Sequence, residues 1–153
     1  MKYVEKLQEL GFSVPPATIP IANYAPGVVD GNTIYISGQL PMVDGQLKYK
    51  GKLGADYSIE EGYEAARTCA LNGLGVVKAL VGDLDRVDKI VKITGFVNCT
   101  PEFADQPKVV NGASDLLGQV FGDAGVHARS AVGAAALPLG ACCEVELIVK
   151  IKE

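Results

Sequence analysis

Arg129 is the residue whose surroundings point most directly to chemistry. It is followed by fourteen uncharged residues, Ser130–Cys143, and then by Glu144. A guanidinium that enters such an apolar stretch needs an anionic partner, because an unpaired charge is costly to remove from water. Two partners fit: Glu144, through a salt bridge across the last two strands, or the carboxylate of a ligand that is held bidentately. The spacing alone leaves both open.

The other reactive side chains exclude several mechanisms. His127 is the only histidine, so no zinc site can use a histidine pair. A nucleophilic triad would depend on this same residue, which we expect in an exposed turn after Gly125. No glycine-rich phosphate-binding motif occurs. The cysteines form no CxxC pair and are predicted to be buried, reduced thiols: Cys69, Cys99, Cys142 and Cys143.

The composition is that of a globular protein that folds throughout. The chain has 153 residues, of which 48% are hydrophobic and 21% charged, so we expect a single domain spanning 1–153. The formal net charge is −4 and no basic cluster occurs, which argues against nucleic acid as a partner. The longest uncharged run, residues 10–29, contains four prolines and is not expected to span a membrane. We expect a cytoplasmic location.

The hydrophobic spacing predicts three helices. Val4, Leu7 and Leu10 share one face of a short helix that ends at Gly11 and is expected to be an appendage. A proline-rich stretch, Ser13–Pro26, is expected to run extended over the surface. The longest helix begins at a capping box formed by Ser58 and Glu61 and runs to residue 82. A further helix is predicted over 106–121.

The remaining segments predict strands at 28–29, 33–37, 90–97, 130–136 and 143–151, with turns at 30–32 and 44–45 and a solvated loop at 48–56. The last two strands are expected to pair across a turn at 138–140. This order predicts an α+β fold with both long helices on one face of the sheet. Residues 144–151 alternate, so the side chains of Glu144, Glu146, Ile148 and Lys150 are expected on a face that only a subunit interface could cover.

Two stretches resemble the reactive intermediate deaminase family, known as Rid, YjgF or endoribonuclease L-PSP. They are YAPGVVDGNTIYISGQLP at 24–41 and ARSAVGAAALPLGACCEVEL at 128–147. The resemblance extends from about Ile19 to Ile151 and leaves the helix within residues 1–12 outside, which indicates a longer subgroup. It implies a chorismate-mutase-like mixed β-sheet and a homotrimer with a small cleft between each pair of subunits.

The resemblance also implies roles for individual residues. Arg129 would clamp the carboxylate of the substrate, and Glu144 would position or activate a water. The remaining binding residues would be Tyr24, which closes the cleft, together with Ser37, Gly38 and Asn111. A 2-imino or 2-enamino acid held in this way would be hydrolysed to a 2-keto acid and ammonia, with no metal and no cofactor.

The chain departs from the family pattern around the proposed clamp. Ala131 replaces a cysteine, and His127 replaces a proline. Asn111 lies one residue farther from Arg129 than is usual and is followed by the small residues 112–114. These changes retain the clamp and the water site but alter the shape of the pocket. One alternative is therefore a non-catalytic protein that binds a small carboxylate such as a 2-keto acid. Another is a ribonuclease, which the acidic balance and single histidine disfavour.

Overall fold

The computed structural model describes residues 1–17 and 23–153. Residues 18–22, part of the stretch predicted to run extended, lie outside the described residues. The helices are α1 (Lys2–Glu9), α2 (Ile59–Val81) and α3 (Gln106–Phe121). The strands are β1 (Gly27–Asp30), β2 (Thr33–Gln39), β3 (Met42–Val43), β4 (Gln46–Leu47), β5 (Val87–Asn98), β6 (Ala128–Ala134) and β7 (Cys143–Ile151).

Five of the strands form one mixed sheet in the order β1-β2-β7-β5-β6. All neighbours are antiparallel except β5 and β6, which are parallel. The prediction that the last two strands pair with each other is therefore wrong. Helix α3 returns the chain to the starting end of β5, so β6 runs parallel to β5 at the edge. The chain then crosses the end of β5 and inserts β7 between β2 and β5.

Both long helices cover one face of this sheet, as predicted. Helix α2 begins with the expected capping box, in which the Glu61 amide donates to Ser58 Oγ at 3.2 Å and the Ser58 amide donates to Glu61 Oε1 at 3.0 Å. On β7, Val145, Leu147 and Val149 are buried beneath the helices. The alternate residues of β7 point to the other face, which the described part of the chain leaves open.

Helices α2 and α3 approach each other closely at Gly112. A Cβ atom at this position would lie only 1.9 Å from the carbonyl oxygen of Tyr63 on α2. The absent side chain therefore allows the two backbones to come into contact. This contact fixes the height of α3 above the sheet and with it the positions of Asn111 and Ser114.

Helix α1 is docked on the body of the protein, and the description of it as an appendage is wrong. Tyr3 and Leu7 are buried, and the Tyr3 ring packs against Phe121 with the ring centroids 4.5 Å apart. The backbone amides of Lys2 and Tyr3 donate to the Asp85 carboxylate at 2.8 and 3.0 Å. Hydrogen bonds from the Tyr3 amide and from the terminal amine lower the pKa of Asp85 to about 2.

Residues 48–56 are less solvated than predicted, because Tyr49 and Leu53 are buried. The four cysteines are buried and unbridged, as expected. The turn at Asp44 and Gly45 is present and joins β3 to β4, with positive φ angles of 51° and 77°.

The contact at Gly112 generates a stability prediction. We expect Gly112→Ala to lower the free energy of unfolding by about 1–3 kcal/mol or more, because the backbone of α2 would have to move away. Gly118→Ala on the same helix is the matched control, since a Cβ atom at this position would have no neighbouring atom within 4 Å outside its own helix backbone and chain neighbours. It should stabilise the protein by about 0.5–1 kcal/mol through helix propensity. Urea unfolding of both variants measures the difference, and equal stabilities would contradict the packing described here.

Candidate functional site

The predicted clamp residue Arg129 turns toward helix α3. It lies on β6 beside Ile93 of β5, a residue that is buried beneath the helices. Its Nη1 donates to Asn111 Oδ1 at 2.8 Å and to Ser114 Oγ at 3.2 Å. Two predicted site residues, Arg129 and Asn111, are thus in direct contact. The middle turns of α3 position the two acceptors, because residues three apart on a helix lie on the same face.

Residue His127 extends this contact into a chain of hydrogen bonds. Its Nε2 lies 2.9 Å from Ser114 Oγ, and its Nδ1 lies 2.6 Å from the carbonyl oxygen of Gly125. The side chain is partly buried, so the expectation of an exposed turn histidine is wrong. We call the group of Asn111, Ser114, His127 and Arg129 the arginine cluster. Ser114 and His127 were not predicted as site residues, although both occupy positions where the sequence departs from the family pattern.

The salt bridge between Arg129 and Glu144 that the sequence left open is absent. Among the described residues, no carboxylate oxygen lies within 4.0 Å of the Arg129 guanidinium. Strand β5 separates the two residues, with Arg129 beside Ile93 and Glu144 beside Phe96. Positions three apart on β5 face opposite sides of the sheet, and two strand spacings of about 4.8 Å add to the separation. One chain therefore cannot bring the two side chains together.

The second group of predicted residues lies at the bulge of β2 beside Glu144 of β7 and on the segment that this bulge holds. The strand pairing between β2 and β7 has a bulge, because the four residues 36–39 of β2 oppose the three residues 145–147 of β7. The Glu144 carboxylate packs over this bulge at Gly38, where a Cβ atom would lie 1.8 Å from Oε1. Only glycine leaves room for the carboxylate in this position.

The bulge also holds the segment that carries Tyr24. Ser37 Oγ donates to the carbonyl oxygen of Ala25 at 2.7 Å, and the Ser37 amide donates to that of Pro26 at 3.0 Å. Tyr24 itself is 54% exposed. We call the group of Tyr24, Ser37, Gly38 and Glu144 the glutamate cluster. The structure thus divides the six predicted site residues into two clusters.

The environment of Glu144 alters its acidity. Burial of the half-buried carboxyl raises its pKa, and the charge of Glu146, two residues along on the same face, raises it further. In the part of the chain that the structure describes, its carboxylate has neither a hydrogen-bond donor nor a cation within bonding distance. Such a carboxylate retains affinity for a proton or for a water molecule.

The open face of the sheet continues from the glutamate cluster. It carries exposed apolar side chains, including Val28 and Tyr35, which are 55% and 50% exposed. A shallow concavity of about 310 Å³ lies on this face, and its lining includes Ser37, Thr94 and Glu146. Apolar surface of this kind beside acidic groups is typical of an interaction surface.

Residues 1–17 and 23–153 contain no group of three or more side chains that could jointly hold a metal ion. Within these same ranges, none of the helices combines the length and the apolar character needed to cross a membrane.

The fold and the two sequence motifs define a chorismate-mutase-like α+β protein. A model of the YjgF/chorismate mutase-like family, for which an endoribonuclease activity has been suggested, matches residues 5–151. The chain belongs to this family, which is also called Rid or endoribonuclease L-PSP. The match begins inside α1, earlier than the start near residue 19 that the motifs indicated.

Relatives of the chain carry different descriptions. It is 47% identical over 146 residues to Protein TCP17 of Trypanosoma cruzi, covering 95% of this chain and 91% of that protein. It is 30% identical to a 2-iminobutanoate/2-iminopropanoate deaminase of Dermatophagoides farinae, covering 92% and 94%. The crystal structure of Atu1372 from Agrobacterium tumefaciens, a protein of unknown function, has 45% identity and a TM-score of 0.92, covering 98% and 92%.

The electrostatics of the glutamate cluster generate a pH prediction. We expect Glu146→Gln to lower the pKa of Glu144 toward its ordinary value, because it removes a neighbouring negative charge. The pH at which Glu144 gains its proton should therefore decrease by a fraction of a unit, as measured by carbon-13 NMR of the side-chain carboxyl group. Asp88→Asn, which removes a carboxylate that pairs with Lys150 instead, should leave the midpoint unchanged. A midpoint that stays fixed or rises in Glu146→Gln would contradict this account.

Proposed function

We propose that this protein hydrolyses reactive 2-imino and 2-enamino acids to 2-keto acids and ammonia, in clefts between the subunits of a cytoplasmic homotrimer. The observation that carries the proposal is the Arg129 guanidinium. It is held by neutral acceptors on α3, and no carboxylate of the described chain neutralises it. A small ligand with a carboxylate is the partner that such a group binds best.

The proposed reaction follows from placing the substrate carboxylate on Arg129. This fixes the adjacent C=N carbon relative to a water molecule held by Glu144. The water oxygen adds to that carbon while Glu144 accepts a proton from the water. Glu144 passes this proton to the nitrogen, which gives a carbinolamine with a hydroxyl and an amino group on the same carbon. Glu144 then carries the remaining hydroxyl proton to the nitrogen, the C–N bond breaks and ammonia leaves as the C=O bond forms. An enamine enters the same sequence once its carbon is protonated to the imine. The raised pKa of Glu144 suits a group that takes and returns a proton.

The other predicted residues complete this arrangement. Asn111 holds the guanidinium, and Gly38 leaves the space that the Glu144 carboxylate occupies. Ser37 holds the segment of Tyr24, which closes the cleft over the substrate.

The proposed site needs two subunits. Because Arg129 and Glu144 lie on opposite faces of one chain, we assign Arg129 to one subunit and Glu144 to its neighbour. The apolar open face beside the glutamate cluster supports this assembly, since a second copy would remove Val28 and Tyr35 from water. The deaminase of Dermatophagoides farinae, 30% identical over 147 residues, supports the reaction.

A second candidate is a protein that binds a small carboxylate without turnover. The arginine cluster favours it, because Arg129 is held in place by Asn111 and Ser114 without any contribution from Glu144. A ribonuclease has less support, since the net charge of −4 opposes binding of a polyanion.

Mixed subunits test the proposed function. We expect Arg129→Ala and Glu144→Gln each to lose nearly all deaminase activity as pure proteins, each retaining a trimeric mass by light scattering. When equal amounts are refolded together, about a quarter of the interfaces should pair an intact Arg129 with an intact Glu144, and activity should return to about a quarter of the parent level. The assay supplies the imine from an amino-acid oxidase and measures ammonia release.

The double variant Arg129→Ala/Glu144→Gln is the matched control. Mixed with Arg129→Ala, it leaves no intact site and should restore nothing. Failure of the two single variants to complement each other, although mixed trimers form, would contradict the shared site. A parent protein that binds 2-keto acids but turns over no imine would identify the binding protein instead.

A further inference from the structure

The guanidinium of Arg129 is held along one side only. Nη1 carries two hydrogens, and they are directed to Asn111 Oδ1 at 2.8 Å and Ser114 Oγ at 3.2 Å. No hydrogen bond from Nε or Nη2 to another described residue is present. The Nε–H and one Nη2–H of a guanidinium are parallel and together match the two oxygens of a carboxylate. The side of Arg129 that remains available is therefore a complete bidentate fork.

The hydrogen bonds behind Ser114 run from Arg129 to the backbone of Gly125. A guanidinium can only donate, so Arg129 Nη1 donates to Ser114 Oγ and a lone pair of that oxygen points toward Arg129. A carbonyl oxygen can only accept, so His127 Nδ1 carries a hydrogen and donates to the Gly125 oxygen. Ser114 Oγ and His127 Nε2 share the hydrogen bond between these two ends, at 2.9 Å.

The Gly125 end of this series of hydrogen bonds is rigid. A Cβ atom at Gly125 would lie 2.2 Å from the carbonyl oxygen of Leu117, so the backbone at Gly125 rests directly on α3. Its carbonyl oxygen is a fixed anchor for the His127 ring. The ring in turn prevents the Ser114 hydroxyl from rotating away from Arg129.

We propose that Ser114 and His127 are positioning residues that hold Arg129 so that its Nε–Nη2 side receives the carboxylate of the ligand. This inference rests on the proposed function for the identity of the ligand, a small 2-keto or 2-imino acid. It adds a specific geometry, because a carboxylate bound on this side lies in the plane of the guanidinium and away from α3. Neither residue touches the substrate, and His127 acts only through Ser114.

Binding of pyruvate, measured by calorimetry on the whole protein, tests whether His127 acts on Arg129 through Ser114. We expect Ser114→Ala to weaken binding about tenfold, because it frees one side of the guanidinium. His127→Phe, which keeps a ring and removes both nitrogens, should weaken binding less, about threefold. The double variant should bind no more weakly than Ser114→Ala alone, since His127 has no separate route to Arg129. Additive losses in the double variant, or full affinity in Ser114→Ala, would overturn the proposal.

A matched control and a measurement without ligand separate this proposal from the proposed function. Thr68→Ala removes a hydroxyl that bonds only to its own helix, at the Glu64 carbonyl, and should leave pyruvate binding unchanged. Nitrogen-15 NMR of the ligand-free protein should show hindered rotation of Nη1 of Arg129 in the parent and faster rotation in Ser114→Ala. Hindered rotation without any pyruvate binding would support the positioning role and contradict the proposed ligand. Free rotation in the parent would overturn the positioning role.

Discussion

The unneutralised charge of Arg129 is the constraint from which the candidate site follows. A half-buried guanidinium loses much of its hydration. In the described chain, only neutral oxygen atoms accept hydrogen bonds from Arg129 in place of the lost water. Three features of the fold are needed to keep it in place: the close contact of α2 with α3 at Gly112, the acceptors on α3 and the rigid turn at Gly125. The arginine cluster thus holds a cation that no carboxylate of the described part of the chain neutralises.

The position of β7 explains why the proposed site draws on a second copy. Inserted between β2 and β5, this strand buries one row of aliphatic side chains beneath the helices and presents Glu144 and Glu146 on the opposite face. The same insertion places β5 between Glu144 and Arg129. A fold with β6 and β7 paired would have allowed a salt bridge within one chain and a satisfied arginine. The observed strand order instead leaves Arg129 and Glu144 apart, and both are available for the proposed shared cleft.

The parts of the fold that depend only on residues close together in the sequence were predictable. The capping box at Ser58 and the alternation along β7 are local patterns, and the structure confirms both. The pairing of β5 with β6 is set by the path of the chain over α3, which no local pattern records, and the expected hairpin was wrong. The choice of Arg129 and Asn111 as site residues came from a family resemblance, and their direct contact is seen only in the structure. The proposed role of Ser114 depends on the hydrogen bond between its hydroxyl and His127, which lies thirteen residues away in the sequence. Only the tertiary structure reveals this contact.

The crystal structure of the assembled protein with bound pyruvate tests the central claim most directly. We predict that the pyruvate carboxylate lies against Nε and Nη2 of Arg129, with Nη1 still bonded to Asn111 and Ser114. We also predict that Glu144 of the partner subunit lies within reach of the keto carbon through one water molecule. A carboxylate bound elsewhere, or an assembly that leaves Arg129 and Glu144 of all copies far apart, would contradict the account.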